Sequence, residues 1–276
     1  VSNPYIADGY YSGAYALFKQ EEYDQAGQYY KNFLNRGTDA KKNKIFDAQL
    51  RLADCYFAQK NYTNATKYYG YVIQGNSYNV DYALYQRALI HGLQGNIDAQ
   101  IKDLKTIHNK YISSDLLDDA YFELAEVYFN RGDYNLAEKE YAYLIQDYPK
   151  SPYYRLALLK TGLIQYNRKQ DQKAISTFKD IIKKFPHSAE AKEATLSLKN
   201  IYIDQGNAES LFEFLKEVPN SNMTASFKDS ATYDAALSFM KKGDCEGTIK
   251  SMENYLEKFP NGYNYVDAAF YAANCE

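Results

Sequence analysis

Few of the residues in this chain that could act in catalysis or metal binding have the spacing that such sites require. The 276 residues include three histidines, His91, His108 and His187, and their spacing is not the short one typical of a zinc site. The sequence also lacks a glycine-rich phosphate loop and a serine nucleophile elbow. We therefore expect a protein that is not an enzyme, with no catalytic residue, no metal ion and no cofactor.

Paired carboxylates are the remaining candidates for acid–base chemistry. Glu21-Glu22 and Asp118-Asp119 each lie at the start of a segment with helical periodicity. Negative charge is favoured there because it compensates the helix dipole. Their placement is thus explained without catalysis.

The elements that position these residues repeat with a period of 37 residues. A small residue heads each equivalent segment, and the gaps between these residues are 39, 35 and then 37 five times. A fixed period between about 20 and 50 residues is typical of solenoids. The residues are Ala14, Ala53, Ala88, Ala125, Gly162, Ala236 and Ala273, with Lys199 in one degenerate copy.

Each period contains two helices separated by a short turn. Around Ala125 the apolar residues recur three and four positions apart, as on one face of a helix. Arg131-Gly132-Asp133 interrupts this pattern as a turn, and Pro149 ends the second helix. The apolar residues of that second helix are Tyr134, Ala137, Tyr141, Leu144 and Ile145.

This arrangement resembles the tetratricopeptide repeat. The residues that carry the resemblance are Tyr121, Leu124, Ala125, Tyr128, Gly132, Tyr134, Ala137, Tyr141 and Pro149. It covers essentially the whole chain and implies an all-α, right-handed superhelical solenoid of about seven hairpins plus one terminal helix. Segments such as YPKSPYYRLALLKTG resemble repeats of bacterial cell-envelope members, namely outer-membrane assembly lipoproteins and Tol-Pal-associated proteins. That resemblance implies a location in the bacterial periplasm or at the outer membrane.

The repeat pattern predicts three segments along the chain. Residues 1–218 form hairpins one to six, 219–229 form an irregular linker or hinge, and 230–276 form hairpin seven plus an unpaired first helix. Pro219 lies one helical turn before its expected place, so the preceding helix should be short. We interpret the chain as a fragment of a longer array. The apolar face of its last helix, at Ala269, Ala272 and Ala273, is expected to pair as a dimer.

The three cysteines leave two interpretations open. In one, Cys55, Cys245 and Cys275 are small buried apolar residues. In the other, Cys245 and Cys275 form a disulfide in an oxidising compartment, joining hairpin seven to the last helix. The third hairpin is also unusual, because Gln100 replaces a small core residue and needs a polar partner there.

Composition limits the partners. The net charge of −3 comes from interspersed charges without a basic stripe, so we do not expect nucleic-acid binding. No segment approaches the roughly 20 apolar residues of a membrane span. The 31 tyrosines exceed the need of the core and suit contacts with peptides or sugars.

The resemblance implies a concave groove lined by the first helices. The residue after each small residue varies strongly along the chain, from Tyr15 to Asp54, Leu89 and Glu126, and we interpret this variation as ligand contact. The groove candidates are Tyr11, Tyr15, Asp54, Phe57, Tyr85, Glu126, Phe129, Tyr166 and Asn200.

The predicted function is a non-catalytic scaffold for cell-envelope assembly or maintenance. Its groove should bind a peptide, a helix or a folded protein. Two alternatives stay open: a glycan-binding module that uses surface tyrosines, and a structural spacer between other domains.

Overall fold

The computed structural model describes residues 4–36, 40–76, 78–218 and 223–275, and within these ranges the chain forms fifteen α-helices and no strand. The first eight are α1 (Pro4–Lys19), α2 (Tyr23–Arg36), α3 (Lys42–Ala58), α4 (Tyr62–Gly75), α5 (Val80–Leu93), α6 (Ile97–Lys110), α7 (Leu117–Asn130) and α8 (Tyr134–Asp147). The others are α9 (Tyr154–Asn167), α10 (Asp171–Lys184), α11 (Ala189–Asp204), α12 (Ala208–Lys216), α13 (Ala225–Lys241), α14 (Cys245–Lys258) and α15 (Tyr265–Cys275).

The chain divides within α8 into two compact units, Val1–Tyr143 and Leu144–Glu276. In the first unit, α1 packs on α2, α3 on α4 and α5 on α6, and α7 is followed by the first part of α8. In the second unit, α9 packs on α10, α11 on α12 and α13 on α14, and α15 packs on α14. The prediction of an all-α chain with seven hairpins and one terminal helix is confirmed.

A left-handed backbone residue marks the turn inside every hairpin. In the fourth hairpin the N–H of Gly132 donates to the carbonyl of Phe129, and the N–H of Asp133 donates to that of Tyr128. These two bonds cap the last carbonyls of α7 in a Schellman motif. The equivalent residues are spaced by 39, 35 and then 37, like the small residues: Glu21, Lys60, Gly95, Gly132, Lys169, Gly206 and Gly243.

Small residues occupy the sites where the helices of a hairpin cross. Ala53 of α3 and Ala65 of α4 are completely buried, as are Ala125 and Ala137 in the fourth hairpin. Large side chains surround these crossings and are equally buried. They include Tyr30, Phe33, Tyr69, Tyr141, Phe178 and Tyr255.

In the third hairpin, a small residue on the first helix makes room for a large polar residue, Gln100, on the second helix. Gln100 is 6 % exposed, and a Cβ added to Gly92 would lie only 2.7 Å from its Nε2 atom. The positions equivalent to Gly92 in the neighbouring hairpins hold Phe57 and Phe129. Gly92 therefore provides the space that the larger Gln100 side chain takes.

The sixth hairpin has the short second helix predicted from Pro219. Helix α12 contains 9 residues, whereas α10 and α14 contain 14 each. Residues 219–222 lie outside the described ranges. Helix α13 begins at Ala225, where the Thr224 side chain accepts a hydrogen bond from the N–H of Phe227 at 3.1 Å. The predicted linker 219–229 is thus wrong for residues 225–229, and the hinge itself stays a prediction.

A disulfide joins the two last helices. Cys245 in the first turn of α14 is bonded to Cys275 at the end of α15, with their Cα atoms 5.0 Å apart. Cys55 is a buried free thiol, and burial raises its pKa to about 12. Of the two interpretations of the cysteines, pairing describes Cys245 and Cys275, and the buried apolar role describes Cys55.

Candidate binding surface

The predicted groove residues all lie on first helices and divide between the two units. Tyr11 and Tyr15 lie on α1, Asp54 and Phe57 on α3, Tyr85 on α5, and Glu126 and Phe129 on α7; in the second unit, Tyr166 lies on α9 and Asn200 on α11. Each unit therefore carries its own set of candidates.

Asp54 is held inside the first unit. Its side chain is 10 % exposed. Its Oδ1 atom accepts hydrogen bonds from the hydroxyls of Tyr69 at 2.7 Å and Tyr82 at 3.2 Å, and Oδ2 accepts from Arg51 at 3.2 Å. Burial raises the pKa of Asp54, against the opposing effect of these donors. The carboxylate thus links α3 to α4 and α5.

Glu126 has the same relationship to its own hairpin. The hydroxyl of Tyr141 donates to Oε1 of Glu126, and the two residues are 15 positions apart, as are Asp54 and Tyr69. Burial is the main cause that raises the pKa of both tyrosines. In both hairpins, therefore, a carboxylate on the first helix accepts a hydrogen bond from the hydroxyl of a tyrosine buried on the second helix.

This pairing accounts for the variation at the position after the small residue. In the second and fourth hairpins the residue 15 positions later is a buried tyrosine, and the position after the small residue holds Asp54 or Glu126. Where the later residue is apolar, as at Leu104, Phe178 and Met252, the position holds leucine. At Asp54 and Glu126 the variation thus has an intramolecular cause. Tyr15 and Asn200 do not follow this rule.

Tyr11 also forms a contact between two helices, α1 and α3. Its hydroxyl donates to Oδ2 of Asp47 on α3 at 2.5 Å, and burial followed by this bond raises the pKa of Tyr11. The Nζ atom of Lys44 lies 4.6 Å from the centre of the Tyr11 ring, within range of a cation–π contact. The ring is therefore held at a fixed place beside α3.

Tyr15 is the most accessible candidate in the first unit, at 46 % exposure. The Nζ atom of Lys19 lies 5.6 Å from the centre of its ring. Phe57 and Phe129 are partly buried and pack edge-on against the tyrosine that opens the next helix, Tyr62 and Tyr134 respectively. Tyr85 is partly buried as well.

In the second unit Tyr166 and Asn200 have different settings. The hydroxyl of Tyr166 donates to Asp204 on α11 at 2.9 Å, and burial raises its pKa to about 12. Asn200 is exposed. Beside it, Lys199 replaces the usual small residue and forms an ion pair with Asp234 of α13 at 3.7 Å.

Sequence reasoning missed a buried ion pair in the third hairpin. Arg87 donates two hydrogen bonds of 2.7 Å to Asp103, which is 3 % exposed. The Nε2 atom of His91 lies 3.7 Å from the same carboxylate, and burial lowers the pKa of His91. The sequence contained a sign of this pair, because Asp103 departs from the repeat pattern: the first and second hairpins carry a tyrosine, Tyr29 or Tyr68, at the equivalent position.

A second polar cluster lies between α6, α7 and α8. The Nδ1 atom of His108 is 3.5 Å from Oε2 of Glu140, whose side chain is almost fully buried. The His108 ring packs edge-on against Tyr121 and Tyr143, with centroids 4.5 and 5.7 Å apart. Burial lowers the pKa of His108 and raises that of Glu140.

Family models described as tetratricopeptide repeat match residues 11–80, 119–151 and 156–188. The chain contains tetratricopeptide repeats. A search of curated proteins found no match. The matched ranges contain the turn residues and small residues on which the resemblance rested.

Several solved structures share this fold, two of them described as tetratricopeptide repeat proteins. One from Parabacteroides merdae has a TM-score of 0.56 at 14 % identity, and the match covers 98 % of each chain. The structure of Naa15/Naa10 bound to HypK-THB gives 0.60 at 14 % identity, covering 97 % of this chain and 39 % of that one. YrrB, described as a tetratricopeptide repeat protein with an unusual peptide-binding site, gives 0.51 at 17 % identity over 67 % and 89 %.

Two further features bear on the kind of site present. Among the described residues, no group of three or more His, Cys, Asp or Glu side chains is arranged to hold a metal ion. Within the same ranges, every helix is too short or too polar to cross a membrane.

Proposed function

We propose that the chain is a non-catalytic scaffold that binds a peptide or a helix of a partner protein along the first helices of its first unit. The observation that carries the proposal is Tyr15, an aromatic side chain exposed by 46 % on a first helix. Tyrosine offers a large contact area and a hydroxyl at little entropic cost. The peptide-binding site named for YrrB supports the same use of this fold.

The internal network behind this surface makes it suitable for binding. Asp54 ties α3 to α4 and α5 through Tyr69 and Tyr82, and Asp47 ties α1 to α3 through Tyr11. A surface whose helices are already fixed loses little conformational entropy when a partner binds. Asp54 thus acts as a positioning residue, while Tyr15 is the contact residue of this proposal.

A display library of random peptides, selected on the intact chain, tests the proposal. We expect enriched peptides whose affinity falls at least about tenfold with Tyr15→Ala, equivalent to the 1–2 kcal/mol of a contact residue. Tyr71→Ala is the matched control, since Tyr71 is 39 % exposed but lies on the second helix α4. Failure to enrich any peptide, or equal loss in both variants, would contradict peptide binding along the first helices.

The cysteines support the proposed compartment. Disulfides persist in oxidising environments and are rare in a reducing cytosol, so the Cys245–Cys275 bond supports a periplasmic or outer-membrane-associated location. Cell-envelope assembly or maintenance is the role we propose on that basis. Fractionation of cells that express the protein, with thiol labelling before lysis, tests it. Recovery of Cys245 as a free thiol would argue against an oxidising compartment.

The exposed face of α15 supports the proposed self-association. Val266 and Phe270 are 78 % and 61 % exposed, and Ala269 and Ala273 are exposed beside them. Ala272 was predicted to belong to this face, but it is buried within the fold. We propose that a second copy covers this face, and light scattering after size exclusion measures the mass. Phe270→Glu should convert a dimer into a monomer, whereas Tyr263→Glu, at a residue 96 % exposed, should not. A monomer at all concentrations would exclude the pairing.

A further inference from the structure

A cavity of about 250 Å³ opens in the first unit beside the start of α3 and the turn that joins α4 to α5. The described residues around it come from α3 and from this turn. They are Asn43, Phe46, Asp47, Leu50, Tyr78 and Asn79. None of them belongs to the groove candidates predicted from the sequence.

The cavity adjoins a shortened connection. The small residues Ala53 and Ala88 are 35 residues apart instead of 37, and the turn between their hairpins contains two left-handed residues that are not glycine, Asn76 (φ 44°) and Asn79 (φ 61°). Asparagine adopts this conformation more readily than most other residues with a side chain, and Asn76 uses it to end α4. The ring of Phe46 lies against Gly75, where an added Cβ would be 2.1 Å from Cε1 of Phe46, so the glycine leaves room for this wall of the cavity.

The polar groups of the cavity keep hydrogen-bonding capacity. Oδ2 of Asp47 accepts a hydrogen bond from Tyr11, whereas Oδ1 forms an ion pair with Nε of Arg51 at 3.7 Å, beyond hydrogen-bonding distance, and can still accept a hydrogen bond. Asn79 does not use its side chain to cap α5, and Asn43 is exposed. The cavity therefore offers a carboxylate acceptor and two amides that both donate and accept.

The charges near the cavity favour a neutral ligand. Lys41, Lys42 and Lys44 occupy the start of α3 next to Asn43, and Arg51 lies behind Asp47. A cationic ligand would meet these positive charges, whereas an anionic ligand would meet the carboxylate of Asp47. A neutral ligand with hydroxyl groups can both donate to Asp47 and exchange hydrogen bonds with the amides.

We propose that this cavity binds a single sugar ring, such as a residue of a glycan chain. Its volume is below the roughly 300–1,000 Å³ of pockets for drug-sized ligands and suits one ring. Tyr78, which is 78 % exposed, and Phe46 supply aromatic surface for the apolar face of the sugar. Asp47, Asn43 and Asn79 bind its hydroxyls. This activity is separate from peptide binding at Tyr15.

Saturation-transfer NMR on the intact chain, with a panel of neutral monosaccharides and N-acetylated sugars at millimolar concentration, tests the proposal. We expect at least one sugar to give a signal that Tyr78→Ala and Asn79→Gly each reduce at least fivefold. Asn79→Gly removes the amide while glycine tolerates the positive φ. The control is Tyr263→Ala, which removes a fully exposed tyrosine of the second unit and should leave the signal unchanged.

Three outcomes would overturn the sugar site: no signal from any sugar, a signal that both cavity variants retain, or a signal that Tyr263→Ala also removes. Thermal melts of each variant establish that it is folded. Peptides selected on the intact chain provide a separate readout. If Tyr78→Ala abolishes their binding while no sugar gives a signal, the cavity is an anchor for a peptide side chain, which contradicts the sugar proposal and leaves the scaffold proposal standing.

Discussion

The hydroxyl of Tyr69 donates a 2.7 Å hydrogen bond to Asp54, a carboxylate 15 residues earlier in the chain. Tyr69 is completely buried, so its hydroxyl has no access to water and needs a partner in the protein. Asp54 supplies that partner and also accepts from Tyr82 of the next hairpin. One carboxylate therefore joins three helices of the first unit.

Tyr69→Phe should destabilise the chain, because it removes the hydroxyl donor and leaves a buried carboxylate with one partner fewer. A hydrogen bond to a charged group contributes about 1.5–3 kcal/mol, and urea unfolding measures the change in the free energy of unfolding. Tyr71→Phe on the same helix is the control, since Tyr71 is 39 % exposed and its change should stay within about 0.5 kcal/mol. Equal effects of both substitutions would contradict the role of Asp54.

The stability of the chain should also depend on pH through Asp54. Burial raises its pKa in the folded state, so the folded protein holds this proton at pH values where the unfolded chain has lost it. Stability from this group is present below the unfolded pKa of 3.8 and is lost as pH rises through the raised folded value. Relative to Asp54→Asn, the wild-type chain should therefore lose stability as pH increases across this window. Parallel pH profiles of the two proteins would contradict the prediction.

Arg87→Ala should be among the most damaging substitutions in the first unit. It removes both hydrogen bonds to Asp103, a buried carboxylate, and breaking a buried ion pair from one side costs about 3–5 kcal/mol. Arg131 is the matched control, because it pairs with Asp133 at 3.2 Å but its side chain is 46 % exposed. Arg131→Ala should cost about 0–1 kcal/mol. Denaturant unfolding that ranks the two arginines in the opposite order would refute this account.

Gly162→Ala should destabilise the second unit although alanine favours helices. The new Cβ would lie 2.5 Å from Cε1 of Phe178, which is completely buried, and overpacking of this kind costs about 1–3 kcal/mol. Gly70→Ala, also within a helix, is the control, because its nearest neighbour is Nη1 of Arg87 at 3.9 Å. That change should stabilise the chain by about 0.5–1 kcal/mol. Thermal melts that show a gain for both would mean that Phe178 moves away.

Removal of the disulfide should loosen the last helix. The bond closes a loop over a sequence separation of 30, and loop entropy predicts a loss of about 3–4 kcal/mol when Cys245 and Cys275 are both replaced by serine. Only two residues of α15, Ala268 and Ala272, are buried, so the disulfide supplements a small buried contact. Hydrogen exchange of the α15 amides measures the effect locally.

Thiol titration gives the matching chemical readout. Under denaturing conditions without reductant, one thiol should react, that of Cys55, and all three cysteines should react after reduction. Three reactive thiols before reduction would show that the bond does not form. Cys55→Ala, which leaves the pair intact, should then give no reactive thiol without reductant.

The sequence by itself determined the repeat architecture, because its signals are local. Helical periodicity around Ala125, the turn at Gly132 and the early proline at Pro219 each depend on a few neighbouring residues. From them the sequence predicted the hairpins and the short α12, whereas the start of α13 at Ala225 was missed because polar residues conceal a helix that Thr224 caps.

Only the tertiary structure showed which polar side chains already have hydrogen-bond partners within the protein. Asp54 and Glu126 varied as contact residues would, yet their partners Tyr69, Tyr82 and Tyr141 come from other helices. A pattern along one helix does not reveal what faces it across a hairpin. The same reason applies to Cys245 and Cys275, whose spacing in the sequence allowed either pairing or burial. It also applies to the cavity at Asn79, which forms only where α3 and the start of α5 come together.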